Sequence, residues 1–371
     1  MERIKIFQFS FGDGFAGSAK MALLSSDVLL KKGYDVTLFA SQNSLTASRA
    51  KQRNIPLVEL DSKQKFKMLI KQIIEVVEKE KPGIVISYHS LDRKVGIALK
   101  RKYGKQIKNI SYRQNMSESA PIIGAIIYNL YNDYVLACSQ GVAKSLIRSG
   151  IRKKKVKVIH NCIEVPENLE SISGEVVRKR YPFEGKVVLG LSTWFHKERK
   201  GFDILFKAFS VLDEKFVLLI VGITESMQEE VNQYAESFGI DRNRIFMPGY
   251  VDNIWEYYKA LDIFLLPSRS EGFSLALLEA AAAKLPLIAS NIPGNDEFIE
   301  NLKNGLSFDI EKPNELAEKI NKISEDKTFA KQLAENAHNK VMNNFLVKHL
   351  GERFDQVIKS LVQNLRGFQL K

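Results

Sequence analysis

Cysteine is scarce in this chain, with two among 371 residues, Cys138 and Cys162. Each lies in an apolar, strand-like stretch with no second Cys and no His at ligand spacing. That excludes a disulfide framework and argues against a zinc site. Long apolar runs are missing too: no stretch reaches the ~18 residues that cross a bilayer. The N-terminus enters a strand at once, Arg3 to Ser10, without a leader pattern. A chain of the reducing cytoplasm is therefore expected. There are five histidines; His89 and His160 end apolar strands and His196 lies near Lys200. Each reads more readily as structural than as a catalytic base. No Asp-x-Asp ends a strand, so no motif calls for a metal.

Acidic residues are thin in the first half. Residues 1–165 hold 29 Lys/Arg against 13 Asp/Glu, whereas the remainder holds 26 against 30. A net charge of +16 over one half and −4 over the other points to a polyanion facing the basic half, either nucleic acid or an anionic membrane.

Single cores stop growing near ~250–300 residues, so 371 residues predict two domains. Apolar runs at Ile4–Ser10, Asp35–Ala40, Gly83–His89, Asn109–Arg113, Tyr134–Ser139 and Val156–Asn161 read as buried strands. Helix-length segments such as Ser18–Lys32, Lys65–Glu80 and Gln140–Ser149 separate most of them. The rhythm breaks at residues 164–185 (Pro166, Gly174, Pro182) and then restarts. Lys186–Thr193, Phe216–Gly222, Arg244–Gly249, Ile263–Ser268 and Leu287–Ser290 read as strands, and from Pro313 the pattern is helical only. Such alternation predicts an α/β protein with two doubly wound parallel sheets facing across a cleft. We expect one domain over 1–165, a linker over 166–184, a second domain over 185–345 and a terminal helix over 346–371 that packs back on the first domain. Ligands of such sheets bind beyond the carboxyl ends of the strands.

The most specific segment is Pro267-Ser-Arg-Ser-Glu-Gly-Phe-Ser-Leu-Ala-Leu-Leu-Glu-Ala280. A strand ends, a Gly-containing turn follows, and a helix starts near Ser274, where backbone N–H groups of Phe273, Ser274 and Leu275 offer an anion site. Glu271 and Glu279 are eight residues apart, up to ~12 Å along a helix. A glycosidase pair needs ~5–9.5 Å, so the two carboxylates are expected to touch different parts of one elongated ligand.

This segment resembles the E-x7-E motif of retaining glycosyltransferases of the GT-B fold, in particular glycosyltransferase family 4. Phe246-Met-Pro-Gly-Tyr-Val251, Tyr258–Leu266, Leu285–Ala289 and Pro293–Glu297 are similar to that family's donor-domain blocks. Gly17-Ser-Ala-Lys20, Lys32–Val36, Ala137–Gln140 and Val156–Ile163 are similar to its first-domain blocks. The resemblance covers nearly the whole chain. It implies a UDP- or GDP-sugar held by the second domain, with Glu279 on the ribose and Glu271 with Gly272 to Ser274 on the hexose. Leu275, Gly249, Tyr250 and Gly17 would line the nucleotide site, and Lys200, in Arg199-Lys-Gly-Phe-Asp203, would hold the diphosphate. It further implies transfer of a hexose or N-acetylhexosamine to a glycan or lipid-linked acceptor of a bacterial cell surface, with no dedicated base and no cofactor. The family's usual Arg ahead of the Lys is missing, since Trp194 or Phe195 stands there, which leaves Arg199 or Lys197 to supply the charge. The family's His after the fifth strand is replaced by Arg113, whose planar fork suits an anionic acceptor; His89 is the other candidate on the acceptor side.

Two alternatives remain open at this level. Gly12, Gly14 and Gly17 satisfy G-x-G-x-x-G, the mark of an NAD-binding enzyme, yet Phe39-Ala-Ser-Gln42 lacks the acid expected at the end of the second strand. Charge alone supports a nucleic-acid binder. Finally, Pro121–Tyr134 carries no Lys or Arg and is apolar around most of a helix. Beside the clusters Arg152–Lys155 and Lys100–Lys102, it is expected to lie on the inner face of the cytoplasmic membrane.

Overall fold

The computed structural model describes residues 3–12, 17–116 and 122–366. It divides into two units, one of residues up to Cys162 together with those from Val347 onward, the other Ile163–Leu346.

The first unit is built on seven parallel strands: β1 (Lys5–Ser10), β2 (Asp35–Ser41), β3 (Leu57–Leu60), β4 (Ile84–Ser87), β5 (Lys108–Arg113), β6 (Tyr134–Ala137) and β7 (Val156–Val158). Between them run α1 (Gly17–Lys31), α2 (Leu45–Gln52), α3 (Phe66–Glu80), α4 (Ser90–Tyr103), α5 (Ile122–Tyr131) and α6 (Gln140–Arg148). The spatial order β3-β2-β1-β4-β5-β6-β7 reverses between β1 and β4. Phe7 and Phe9 each pack tilted against Phe39, ring centroids 4.9 Å apart. Leu69, Ile73 and Val77, spaced four apart on α3, close over that aromatic layer. Spacing by four puts all three on one helical face, which is why this segment is a helix lying on a sheet.

The second unit opens with α7 (Glu175–Arg180) and carries six parallel strands: β8 (Val187–Ser192), β9 (Phe216–Val221), β10 (Ile245–Gly249), β11 (Ile263–Leu266), β12 (Leu287–Ser290) and β13 (Leu306–Phe308). Helices α8 (Phe202–Ser210), α9 (Glu225–Glu236), α10 (Ile254–Ala260), α11 (Leu275–Ala282), α12 (Pro313–Glu325) and α13 (Lys327–Asn344) complete it. The order is β10-β9-β8-β11-β12-β13, so here the chain reverses between β8 and β11. Phe202, Phe206 and Phe209 of α8 fill the core beside Leu218 and Ile220.

Residues 166–184, expected as a linker, are folded into the second unit. Val177 is buried, and Arg178 meets Asp262 at 2.8 Å. A Cβ on Gly174 would fall 2.4 Å from the Lys259–Ala260 backbone. The glycine that broke the rhythm permits close packing, and the first stretch of the first unit ends at Cys162 rather than residue 165.

A final helix, α14 (Val347–Arg366), returns to the first unit and packs on α1. Phe354 sits edge-on to Tyr112 at 5.8 Å, and Arg353 donates to Cys162 Sγ at 3.5 Å. Burial pushes the Cys162 thiol up to about 12, so it stays protonated. Among the described residues no helix is long and apolar enough to cross a membrane.

The Tyr34 hydroxyl donates to Asp355 of α14 at 2.7 Å, and Lys359 reaches the same carboxylate at 2.7 Å. Burial acts to raise this carboxyl, but the bonds from Lys359 and Tyr34 outweigh it and hold Asp355 below its ordinary value. A carboxyl depressed in this way stabilises the fold above its unfolded value and loses that contribution as pH falls through the folded one. Asp355→Asn should therefore cost about 1–2 kcal/mol near neutral pH. Urea unfolding between pH 7 and pH 3 should show the difference from wild type shrinking in acid. A difference that is constant over that range would exclude the carboxylate as its source.

Candidate functional site

A parallel sheet leaves a crevice where neighbouring strands send their connections to opposite sides. In the second unit that point lies between β8 and β11. The two loops leaving their carboxyl ends, residues 193–201 and 267–274, carry the motifs singled out in the sequence.

These loops are fastened together. Arg269 makes a bidentate contact with Asp203, both bonds 2.6 Å, and also donates to the Glu198 carbonyl at 3.0 Å. The Arg269 amide donates to the Arg199 carbonyl at 2.9 Å. Gly201 has a φ of +67°, and a Cβ there would lie 2.0 Å from the Pro267 carbonyl oxygen. Only glycine permits both that conformation and that approach.

The clamp brings Lys200 to Glu271. Nζ and Oε1 are 2.8 Å apart, with the side chains 13% and 10% exposed. A charge pair so nearly desolvated holds its geometry well, since either charge alone would be costly there. Behind Glu271, Gly294 packs so closely that a Cβ would meet the carbonyls of Gly272 and Glu271 at 2.6 and 2.9 Å. Asn295 bonds the Ser290 hydroxyl and carbonyl, and Ser290 in turn donates to the Ser268 carbonyl at 2.5 Å. Ser274 caps α11 by accepting from the Leu277 amide at 3.3 Å, so Leu275 opens the helix. Phe273 is buried against Phe345, ring centroids 5.2 Å apart.

Glu279 is 6% exposed, and its Oε2 accepts from the Tyr258 hydroxyl at 3.0 Å. Burial, and then the nearby Glu279 charge, push the Tyr258 phenol well above its ordinary range, so it stays a donor. Of the two replacements for the missing Arg, Lys197 turns to Glu230 at 3.0 Å and over the Tyr234 ring, while Phe195 is buried in the core. Arg199 remains in the loop itself; its amide donates to His196 Nδ1 at 3.2 Å.

Gly249 ends β10 and Tyr250 follows it; β9 separates that strand from β8. Gly249 has a φ of +81° and its carbonyl accepts from the Gly222 amide; Tyr250 is 75% exposed. Among the described residues no bond joins these two to the Lys200–Glu271 pair.

In the first unit the corresponding reversal lies between β1 and β4. His89, following β4, has its ring 3.4 Å from both Ser10 Oγ and Ser18 Oγ, and it covers Gly12, where a Cβ would fall 2.6 Å from the ring. Asp92 fixes this turn by accepting from the amides of Phe11, Tyr88 and His89 at 3.0, 3.2 and 2.6 Å. Gly17 opens α1, whereas Gly14 of the G-x-G-x-x-G pattern lies outside the described residues. Arg113 ends β5 and donates to the Tyr128 hydroxyl at 3.3 Å. Among the described residues no three His, Cys, Asp or Glu side chains gather as a metal site would require.

Sequence reasoning missed Asp203 and Arg269, although both lie inside the quoted segments, because a loop clamp leaves no periodic signal. It also missed Tyr258, whose partner is 21 residues away.

Comparison with known proteins bears on the family and the fold. Residues 178–340 match the family model described as glycosyl transferases group 1, and residues 16–166 match glycosyltransferase family 4. An uncharacterised glycosyltransferase of Methanocaldococcus jannaschii is 29% identical over 247 residues, 65% of this chain and 61% of the relative. The UDP-Gal:alpha-D-GlcNAc-diphosphoundecaprenol alpha-1,3-galactosyltransferase of Escherichia coli is 31% identical over 147 residues, 39% of this chain and 38% of its own length. The matches thus span less than two thirds of these curated relatives. Anabaena HepE, solved with UDP and glucose, superposes with a TM-score of 0.83 over 96% of this chain and 100% of its own at 19% identity, which shows a shared fold. Each sheet thus carries its own match, the first to glycosyltransferase family 4 and the second to glycosyl transferases group 1, on two Rossmann-like parallel-sheet domains that share their fold with GT-B glycosyltransferases.

Proposed function

We propose that the chain moves a hexose or N-acetylhexosamine from a UDP-sugar to a glycan or lipid-linked acceptor, with retention of anomeric configuration. The observation that carries this reading is the buried Lys200–Glu271 pair, fixed at the reversal of the second sheet, with Glu271 on the same segment as Glu279. Uridine is preferred over guanosine because the E. coli relative is named for UDP-Gal and Anabaena HepE was solved with UDP. A diphosphate-linked lipid acceptor is carried over from the E. coli relative's name.

On this reading Glu279 accepts hydrogen bonds from the ribose hydroxyls, with Tyr258 holding its other oxygen in place. An ammonium has three N–H donors, so Lys200 can keep Glu271 and still meet two oxygens of the donor diphosphate. As the anomeric C–O bond breaks, negative charge grows on the departing phosphate and the fixed cation offsets it. The acceptor hydroxyl attacks from the face the UDP leaves, the new glycosidic bond forms there, and its proton passes to the departing diphosphate. Glu271 and the Gly272–Ser274 backbone hold the hexose. No cofactor beyond the nucleotide sugar is assigned, and no metal.

The same reading puts the acceptor side at a membrane. Helix α5 exposes Ile123 (70%), Ile126 and Leu130. Against its end lies the basic turn: the Arg152 amide donates to Asn129 Oδ1 at 2.9 Å, and Lys155 Nζ donates to the Asn129 carbonyl at 2.7 Å. Arg152, Lys153 and Lys154 are exposed. An apolar face rimmed by cations matches an anionic lipid surface, each such cation adding about 1 kcal/mol.

Three outcomes follow. Glu279→Ala should weaken UDP binding by calorimetry roughly ten- to a hundredfold, the worth of hydrogen bonds to a charged acceptor; unchanged affinity would remove Glu279 from the nucleotide site. Lys200→Ala should lower kcat more than it raises the donor KM, because the charge it meets develops in the transition state. A change in KM alone would contradict that role. The protein should sediment with anionic vesicles at low salt, come off as salt rises, and bind less in an Ile123→Asp, Ile127→Asp variant. Protein that stays in the supernatant at low salt would rule out the membrane surface.

A further inference from the structure

At the carboxyl end of the first sheet, two guanidiniums converge on one tyrosine. Arg93, in the first turn of α4, is half-buried and donates to the Tyr88 carbonyl at 3.2 Å and Ser90 Oγ at 2.9 Å. Arg113, also half-buried, donates to the Tyr128 hydroxyl at 3.3 Å, its guanidinium 5.9 Å from the ring centre. Tyr128 also lies near Arg93. Desolvation is the largest influence on Arg93 and lowers its affinity for a proton; the neighbouring Arg113 charge acts in the same sense, whereas Tyr128 acts to raise it.

Two like charges held together away from water are costly unless an anion joins them. Among the described residues no carboxylate pairs with either guanidinium. The carboxylate beside Arg93 is Asp92, and its oxygens already accept from the amides of Phe11, Tyr88 and His89. Both forks therefore keep N–H donors that no carboxylate among the described residues takes up. Guanidinium forks match phosphate oxygens two at a time, and a tyrosine hydroxyl adds one more donor.

We infer that Arg93, Arg113 and Tyr128 form the subsite for the phosphate or diphosphate ester of the acceptor. Its anion chemistry stands on the geometry; calling the ligand an acceptor rests on the transferase reading above. The half-burial of both arginines separates this site from a lipid-surface contact. Cations that meet a bilayer stand clear of the protein, as Arg152, Lys153 and Lys154 do, whereas this pair is recessed beside the His89 turn. The pair also explains why sequence reading found only half of it. Arg113 stood out at a strand end, while Arg93 looked like one more cation on a helix.

The test uses the full chain with farnesyl diphosphate as probe, farnesol as its phosphate-free control, and excess UDP present to occupy the donor site. Calorimetry should show farnesyl diphosphate binding and farnesol not. Arg93→Gln and Arg113→Gln should each reduce that affinity at least tenfold, and Arg93→Lys, which keeps the charge but loses the fork, should fall between. UDP affinity and the cooperativity of thermal unfolding, measured on the same samples, report separately on the donor site and on folding. If UDP fails to bind while the probe and its arginine dependence persist, the transferase reading falls and the anion site stands. The inference is overturned if the wild type does not bind the probe, or if correctly folded variants bind it as tightly as wild type. It is equally overturned if the substitutions abolish sedimentation with anionic vesicles while leaving probe affinity intact, since the arginines would then read a lipid surface.

Discussion

The bidentate contact between Arg269 and Asp203 sets the geometry of the second unit's site. Two loops leave adjacent strands there, and nothing in strand pairing alone fixes their relative height. Burial acts to raise Asp203's carboxyl, yet the Arg269 bonds and charge outweigh it and hold it below its ordinary value. A planar fork on a carboxylate allows little rotation, so register passes from one loop to the other. The glycine at 201 then lets the backbones touch. Lys200 is next to that contact and Glu271 two residues beyond Arg269, so both are aimed by the same clamp. The ion pair between them follows from these constraints.

Most strands were legible because a sheet covered on both faces needs unbroken apolar runs, and Leu287–Ser290 appears just as its sequence suggests. β3 and β13 were not foreseen. They have four and three residues and stand at sheet edges, where a strand has one neighbour and a weaker apolar signature. The apolar stretch beginning at Val156 forms a strand for only three residues. Its remainder leads to Ile163, whose amide bonds the Phe345 carbonyl at 2.8 Å instead. Proline and glycine in residues 166–184 broke the rhythm and were read as a linker, but composition cannot separate a linker glycine from one pressed against a backbone. Within the site, the residues with catalytic or nucleotide roles in the proposal lie in two short motifs, Arg199–Asp203 and Pro267–Ala280, and were readable. The contacts that position them, Arg269 on Asp203 and Tyr258 on Glu279, join residues far apart in sequence and emerge only in three dimensions.

The positive charge of the first half divides into classes that composition merges. Some cations are structural, such as Lys100 on Asp133 at 2.7 Å and Lys5 on Asp35 and Glu80 at 3.0 Å each. Some stand exposed beside α5. Two are gathered and half-buried around Tyr128. A single net charge predicts a polyanionic partner, whereas the three environments call for different chemistry from it.

The interrupted chain path of the first unit bears on how the protein is made. The second unit is one unbroken stretch, Ile163–Leu346, while the first lacks α14 until the residues from Val347 onward are synthesised. Tyr34 and Asp355 are 321 positions apart, a separation whose closure is entropically late. During synthesis the second unit, although it emerges second, has all its parts first. Until α14 arrives, the apolar side of α1, the Tyr112 ring and the Cys162 thiol lack their cover. A ribosome-bound chain truncated ahead of residue 347 would hold one finished unit and one with its core open, which is the stage most exposed to aggregation and to chaperone capture.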